Sequence, residues 1–194
     1  KGVKAPDTFP IYFSKRVTRA VPDGGPIEAH TDLVKKLDYE CELAVVLGRD
    51  ARDVPAGQTR DYIFGYTILN DVSARDVQTA HKQWYFGKSL DGFTPIGPCI
   101  VTADAFADYP PRLGIRSFVN GEKRQDSNTA LQIFDIDHVI AELSQGMTLK
   151  AGTIIATGTP AGVGMGMDPP QFLKPGDVVR CEIEGIGTLT NPVK

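Results

Sequence analysis

The sequence predicts an α+β domain that is mainly β. Three observations carry that expectation. Short runs of β-branched and aromatic residues recur along the chain, 20 Gly and 14 Pro in 194 residues punctuate them, and only two or three helices are expected. The length suits one domain with a sizeable core, so residues 1–194 are read as a single unit.

Residues 1–28 hold Pro6, Pro10, Pro22, Gly24, Gly25 and Pro26 and read as an irregular opening segment with short extended pieces such as IYFSK. Residues 39–47 form a strand ending in the run Leu43 to Leu47. A turn falls around Pro55–Gly57, and YIFGYTILN, 62–70, is a second buried strand. VSARDVQTAHKQWY, 72–85, is expected to be a helix, with Asp71 or Ser73 supplying cap oxygens. GKSLDGFTPIGPCIVT, 87–102, reads as a loop leading into a strand, and RLGIRSFVNGEKRQDSN, 112–128, as a hairpin turning at Asn120–Gly121 in type I′ geometry. In DIDHVIAELSQG, Ile136, Val139, Ile140 and Leu143 share one helical face, and Gly146 stands where a C-terminal cap belongs. TIIATGTPAGVGMGM is a strand running into a Gly-rich loop, and DVVRCEIEGIGTLTNPV a terminal hairpin-like pair.

Composition excludes several function classes. With 21 basic and 24 acidic residues the net charge is -3, and no basic block or nucleic-acid motif occurs, so no nucleic-acid partner is expected. No apolar run approaches the ~20 residues of a membrane-spanning helix, so no membrane partner is expected either. The opening KGVKAPDTFP lacks Met and the pattern of a signal peptide, and an upstream segment is expected before Lys1. Cys41, Cys99 and Cys181 are odd in number and widely spaced, which argues against a disulfide framework or a zinc knuckle and for a reducing, cytoplasmic setting. Cys41 alternates with its neighbours along the strand and is read as a small core residue.

Glu40 and Glu42 lie two apart on that strand and so project to one side, together with Ala44 and Val46. Taken alone, two such glutamates fit a solvated strand end, since buried like charges repel and lose hydration. Asp71 alters the weighing, because it ends the second apolar run where strand hands over to helix. Three carboxylates converging from two strand ends make a hard oxygen set suited to Mg²⁺ or Mn²⁺, with Ca²⁺ as a third candidate. On a helix continuing from Asp71, Arg75 and Gln78 share its face, and a guanidinium fork matches a substrate carboxylate. An exposed Asp–Arg pair at the same spacing stays open as the alternative. Lys88 stands in a Gly-bounded loop, either at the surface or held to bind a carboxylate or polarise a carbonyl. In TGTPAGVG, Thr157 and Thr159 flank Gly158 at a strand end, and neither GxGxxG nor a P-loop is present.

The stretches YECELAVVLG, NDVSARDVQ, QWYFGKSLDGFTPIGP, FVNGEKRQ and ATGTPAGVG, in that order, resemble the fumarylacetoacetate hydrolase family from about residue 38 to the C-terminus. The resemblance implies a mixed β-sandwich or roll with a few short helices, and commonly a homodimer. It implies Mg²⁺ or Mn²⁺ held by Glu40, Glu42 and Asp71. Substrate contacts would map to Arg75, Gln78, Lys88 and Thr159, with Lys88 also catalytic. The family's catalytic His–Glu pair, on a lid upstream of the paired glutamates, is not found in this chain. His30 lies in a turn-like EAHTD outside the matching motifs, His81 and His138 fall in helices, and none is taken as the base.

The implied substrates are small dicarbonyl or enol carboxylates. A hydrolase cleaving a carbon–carbon bond of an acylpyruvate is the first expectation. An isomerase or decarboxylase of 2-hydroxymuconate-type or oxaloacetate-like compounds is the second, and a non-catalytic metal-binding β domain the third.

Overall fold

The computed structural model describes residues 9–194, so the first eight residues of the predicted opening segment lie outside the described part. From residue 9 to 28 the chain is irregular, as the prolines dictate, apart from single bridges at Val21 and Ile27.

Ten strands follow, broken by short helices. They are β1 (Leu37–Asp38), β2 (Cys41–Leu47), β3 (Ile63–Asn70), β4 (Ser73–Ala74), β5 (Ile96–Thr102), β6 (Gly114–Val119), β7 (Glu122–Asn128), β8 (Ile154–Ala156), β9 (Val178–Ile183) and β10 (Gly187–Pro192). The helices are α1 (Arg75–Ala80), α2 (Tyr85–Lys88) and α3 (Ile136–Leu143). One sheet has the order β5-β3-β2-β8 and a second β10-β9-β6-β7, every pairing antiparallel, while β1 pairs with β4 alone. The two larger sheets enclose one apolar core. Leu43, Val45 and Leu47 of β2 and Tyr66 and Ile68 of β3 meet Ile115, Val179, Ile183 and Leu189 of the other sheet. Burying such side chains stabilises the fold by roughly 1.5–3 kcal/mol each, which holds the layers together. This is the mainly β, α+β sandwich that the sequence predicts.

Several expectations hold in detail. Asn120 and Gly121 take φ of 52° and 83°, the left-handed pair a two-residue type I′ turn needs. Asp135 caps α3 by accepting the His138 N–H at 2.8 Å, and Gly146, φ 69°, lies just past its end. Cys41 is buried in the core with its thiol against Cys181, and Cys41, Cys99 and Cys181 are all free.

The long helix predicted over 72–85 is corrected. Ser73–Ala74 is extended because it pairs with Leu37–Asp38, so α1 begins only at Arg75 and ends before Lys82, whose φ is 58°. Neither Asp71 nor Ser73 caps it: the Ser73 hydroxyl donates to the Asp71 carbonyl, and the N-cap position falls to Ala74. Lys88, expected in a loop, instead ends α2 and is only 2% exposed.

Candidate metal centre and active site

The site is built where β2 begins and β3 ends. Glu40 occupies the break between β1 and β2. Its N–H donates to the Asn70 side chain at 3.0 Å, and its carbonyl accepts the Asp71 N–H at 2.8 Å. These cross-links set Glu40 beside Asp71 although 31 positions separate them in sequence, and strand alternation adds Glu42 on the same side. Glu40, Glu42 and Asp71 are all buried, and each offers a carboxylate oxygen within 4.8 Å of the others.

Cationic side chains ring this cluster. Lys88 Nζ donates to Glu40 Oε2 at 2.8 Å and to Asp71 Oδ2 at 2.6 Å. Its burial depends on Gly87, where a Cβ would stand 2.6 Å from the Gln78 backbone N, so only glycine lets α2 lie this close to α1. Lys15 Nζ donates to Asp71 Oδ1 at 2.7 Å and also to the Lys88 carbonyl. The Phe13 ring lies 5.4 Å from Lys88 Nζ and packs edge-on to Trp84, so residues 13–15 roof the cluster. Arg75 reaches Glu40 Oε1 through Nη1 at 2.6 Å and Asp38 Oδ2 through Nε at 2.9 Å. Its Nη2 is buried without a partner among the described residues.

Among the described residues, carboxylates outnumber cations here. Asp38, Glu40, Glu42 and Asp71 are four carboxylates, and Lys15, Lys88 and Arg75 are three cations. Glu42 is the acid left over: among the described residues its polar contact is the Gly158 N–H at 2.8 Å. Burial, then the charges of Asp71 and Glu40, push its carboxyl well above the usual range. Burial also acts to raise the Asp71 carboxyl, but the Lys15 and Lys88 ammoniums outweigh it and hold that group below the usual range. Burial would lower Lys88, yet Glu40 and Asp71 keep it raised, whereas Lys15 is lowered by burial. An all-oxygen trio in which the third carboxyl is held back from ionising by its two acidic neighbours fits a hard divalent cation. Glu40, Glu42 and Asp71 would hold it.

Of the predicted substrate contacts, Arg75, Gln78 and Lys88 come together here. Gln78 is buried and accepts from Arg75 Nη1 at 3.3 Å. The spacing argument that joined Arg75 to Asp71 is corrected, because Asp71 precedes the helix and Arg75 binds Asp38 and Glu40 instead. Thr159 reaches the site from the Gly-rich loop, its hydroxyl donating at 3.0 Å to the carbonyl of Cys41, which lies between Glu40 and Glu42. The histidines lie elsewhere: His30 meets the Asp91 carbonyl, His81 stacks edge-on with Phe86, and His138 faces Glu142.

Two members of the cluster escaped the sequence reading. Asp38 is fully buried and accepts from Tyr39, Gly164 and Met165 N–H groups as well as from Arg75. An acid two residues before the ExE pair was the available signal. Lys15 had none, since it lies in a Pro-rich segment that fixes no direction for its side chain.

Fold and site together define a β-sandwich domain with a buried carboxylate centre. A sequence model of the fumarylacetoacetate (FAA) hydrolase C-terminal domain matches residues 1–194. The chain is 45% identical over 184 residues to the oxaloacetate tautomerase YisK of Bacillus subtilis, a match covering 95% of this chain and 61% of that protein. It superposes on a fumarylacetoacetate hydrolase (EaFAH) from Exiguobacterium antarcticum with a TM-score of 0.94 at 49% identity, covering 98% of this chain and 68% of that one. A 2-hydroxyhepta-2,4-diene-1,7-dioate isomerase from Mycobacterium marinum gives 0.85 at 43%, covering 96% and 69%. The chain belongs to the fumarylacetoacetate hydrolase family. It spans about three-fifths of the length of the curated relatives it matches. Among the described residues no helix is long and apolar enough to cross a membrane.

Proposed function

We propose that this chain forms the metal and substrate site of a divalent-metal-dependent keto–enol isomerase acting on a small 2-oxo or 2-hydroxy dicarboxylate of the oxaloacetate or hydroxymuconate type. The observation carrying it is a buried oxygen trio, in which Glu42 has no cationic partner among the described residues, beside a guanidinium whose Nη2 likewise has none there. When bound, Mg²⁺ or Mn²⁺ supplies Lewis-acid polarisation of a carbonyl, which eases loss of a neighbouring proton. Arg75 Nη2 offers a buried donor to a substrate carboxylate, and Asp38 fixes the plane of its fork. Lys88 keeps a full positive charge where negative charge develops during the reaction. Gln78 lines the same side and Thr159 the loop edge. Isomerisation moves one proton between carbon and oxygen and breaks no carbon–carbon bond, so it asks for no activated water. The relatives named as a tautomerase and an isomerase support this ordering over carbon–carbon cleavage.

Hydrolysis of an acylpyruvate is the second reading, supported by the 49%-identical neighbour named a hydrolase. Turnover with Mn²⁺ separates the two. Loss of enol absorbance without fragments or CO₂ is the expected outcome with oxaloacetate and with a hydroxymuconate-type dienol. Fragments from an acylpyruvate, with no isomerisation of either enol, would reverse the order. The same proposal places residues 1–194 as one catalytic domain in a homodimer, to be tested by sedimentation. It also places the protein in the reducing cytoplasm, which the three free thiols support.

A further inference from the structure

FVNGEKRQ ends in a residue that the chemistry above does not use. Gln125 lies on β7, in the other sheet from the carboxylates, and is 1% exposed. Its amide crosses the sandwich to the start of β2 and uses every hydrogen-bonding position it has. Oε1 accepts from the Cys41 N–H at 3.1 Å and from the Ser117 hydroxyl at 2.8 Å, and Nε2 donates to Thr159 Oγ1 at 2.7 Å and to the Pro160 carbonyl at 2.8 Å.

The directions of these bonds follow without seeing a hydrogen. The Cys41 N–H can only donate and the Pro160 carbonyl can only accept, so the amide has one orientation. Its Nε2 therefore donates to Thr159. Thr159 Oγ1 also lies 3.0 Å from the Cys41 carbonyl, a pure acceptor, which claims its single proton. One lone pair remains on that oxygen. Two residues earlier, Thr157 repeats the pattern between Gln132 and the Leu43 carbonyl. Gly158, whose N–H holds Glu42, thus keeps its own anchor independent of Gln125.

We infer that Gln125 is a positioning residue: it clamps Thr159 to the strand between Glu40 and Glu42 and presents its hydroxyl to a ligand as a hydrogen-bond acceptor only. That hydroxyl selects a ligand group carrying a proton, such as an enol O–H, over a carboxylate oxygen. The inference rests on Thr159 lining the substrate site, as proposed above.

A double-mutant cycle tests it, read by calorimetry on the Mn²⁺-loaded chain. The probes are oxamate, which carries an amide N–H, and oxalate, which has only acceptors. Thr159→Val and Gln125→Met are each expected to weaken oxamate about tenfold, the scale of one lost hydrogen bond. The double variant should weaken it by the same tenfold, oxalate should change less than oxamate, and Mn²⁺ affinity should stay within about threefold. Multiplying effects on oxamate, equal losses for both probes, or a parallel loss of Mn²⁺ affinity in Gln125→Met would overturn the assignment. If Gln125→Met does not fold, the wild-type protein answers by NMR. Both Gln125 amide protons should be protected from exchange and close to the Thr159 methyl, and a freely exchanging amide rejects the clamp. A wild-type protein that binds oxamate with this coupling but does not isomerise oxaloacetate rejects the proposed activity and leaves the Gln125 assignment standing.

Discussion

Glu42 carries the tension in the site. It is buried beside two other carboxylates, and among the described residues its own polar contact is one backbone N–H. Glu42→Gln keeps the shape and removes the ionisable group whose burial beside two acids opposes folding. Its effects should run in opposite directions: the metal-free protein gains about 1–3 kcal/mol in urea unfolding, while Mn²⁺ affinity falls at least about tenfold. A variant that loses stability in chelator would show that Glu42 is well compensated without a cation. Asp38 behaves oppositely, because its two oxygens satisfy Arg75 and three backbone N–H groups. Asp38→Ala leaves that guanidinium half-paired and those donors buried. A loss of about 3–5 kcal/mol in the same unfolding assay is expected. Glu40, Glu42 and Asp71 were legible in the sequence because strand period and strand ends are local properties. Asp38 and Lys15 were not, since their partners lie 37 and 56 residues away and only the folded sheet brings them near.

At the scale of elements, strands and the type I′ hairpin were legible from β-branched runs and from Asn120–Gly121. The error was the helix over 72–85. Its periodicity is sound for Arg75–Ala80, but a two-residue pairing with Leu37–Asp38 takes the start and a left-handed Lys82 takes the end. That pairing depends on a segment 36 positions away, which no local window contains. The break has a consequence for the site, since it leaves a short second helix to carry Lys88 inward behind Gly87. Gly87→Ala puts a methyl on the Gln78 backbone and must push α2 from α1. The expected cost is about 1–3 kcal/mol of overpacking, together with weaker substrate affinity as Lys88 and Gln78 separate. Unchanged turnover and stability would mean the two helices are free to part.

For the molecule as a whole, the acidic centre sits at a seam. β1 pairs with β4 there, the opening segment lays Lys15 across it, and the Gly-rich loop after β8 closes its other side through Gly158, Gly164 and Met165. A cation filling the centre would tie all of these together and so act on global stability. Mn²⁺ at about a hundred times its dissociation constant should stabilise the fold by about 2.7 kcal/mol, and chelator should abolish the gain. The family motifs made this arrangement readable as a set, whereas the roof of Phe13 and Lys15 needed the folded chain. Calorimetric titration of the chain with Mn²⁺, beside Glu40→Gln and Asp71→Asn, tests the central claim most directly. One ion bound per chain in the wild type, with binding lost in both variants, is the predicted result. No binding to the wild type, or equal binding by all three proteins, would contradict a metal centre built from Glu40, Glu42 and Asp71.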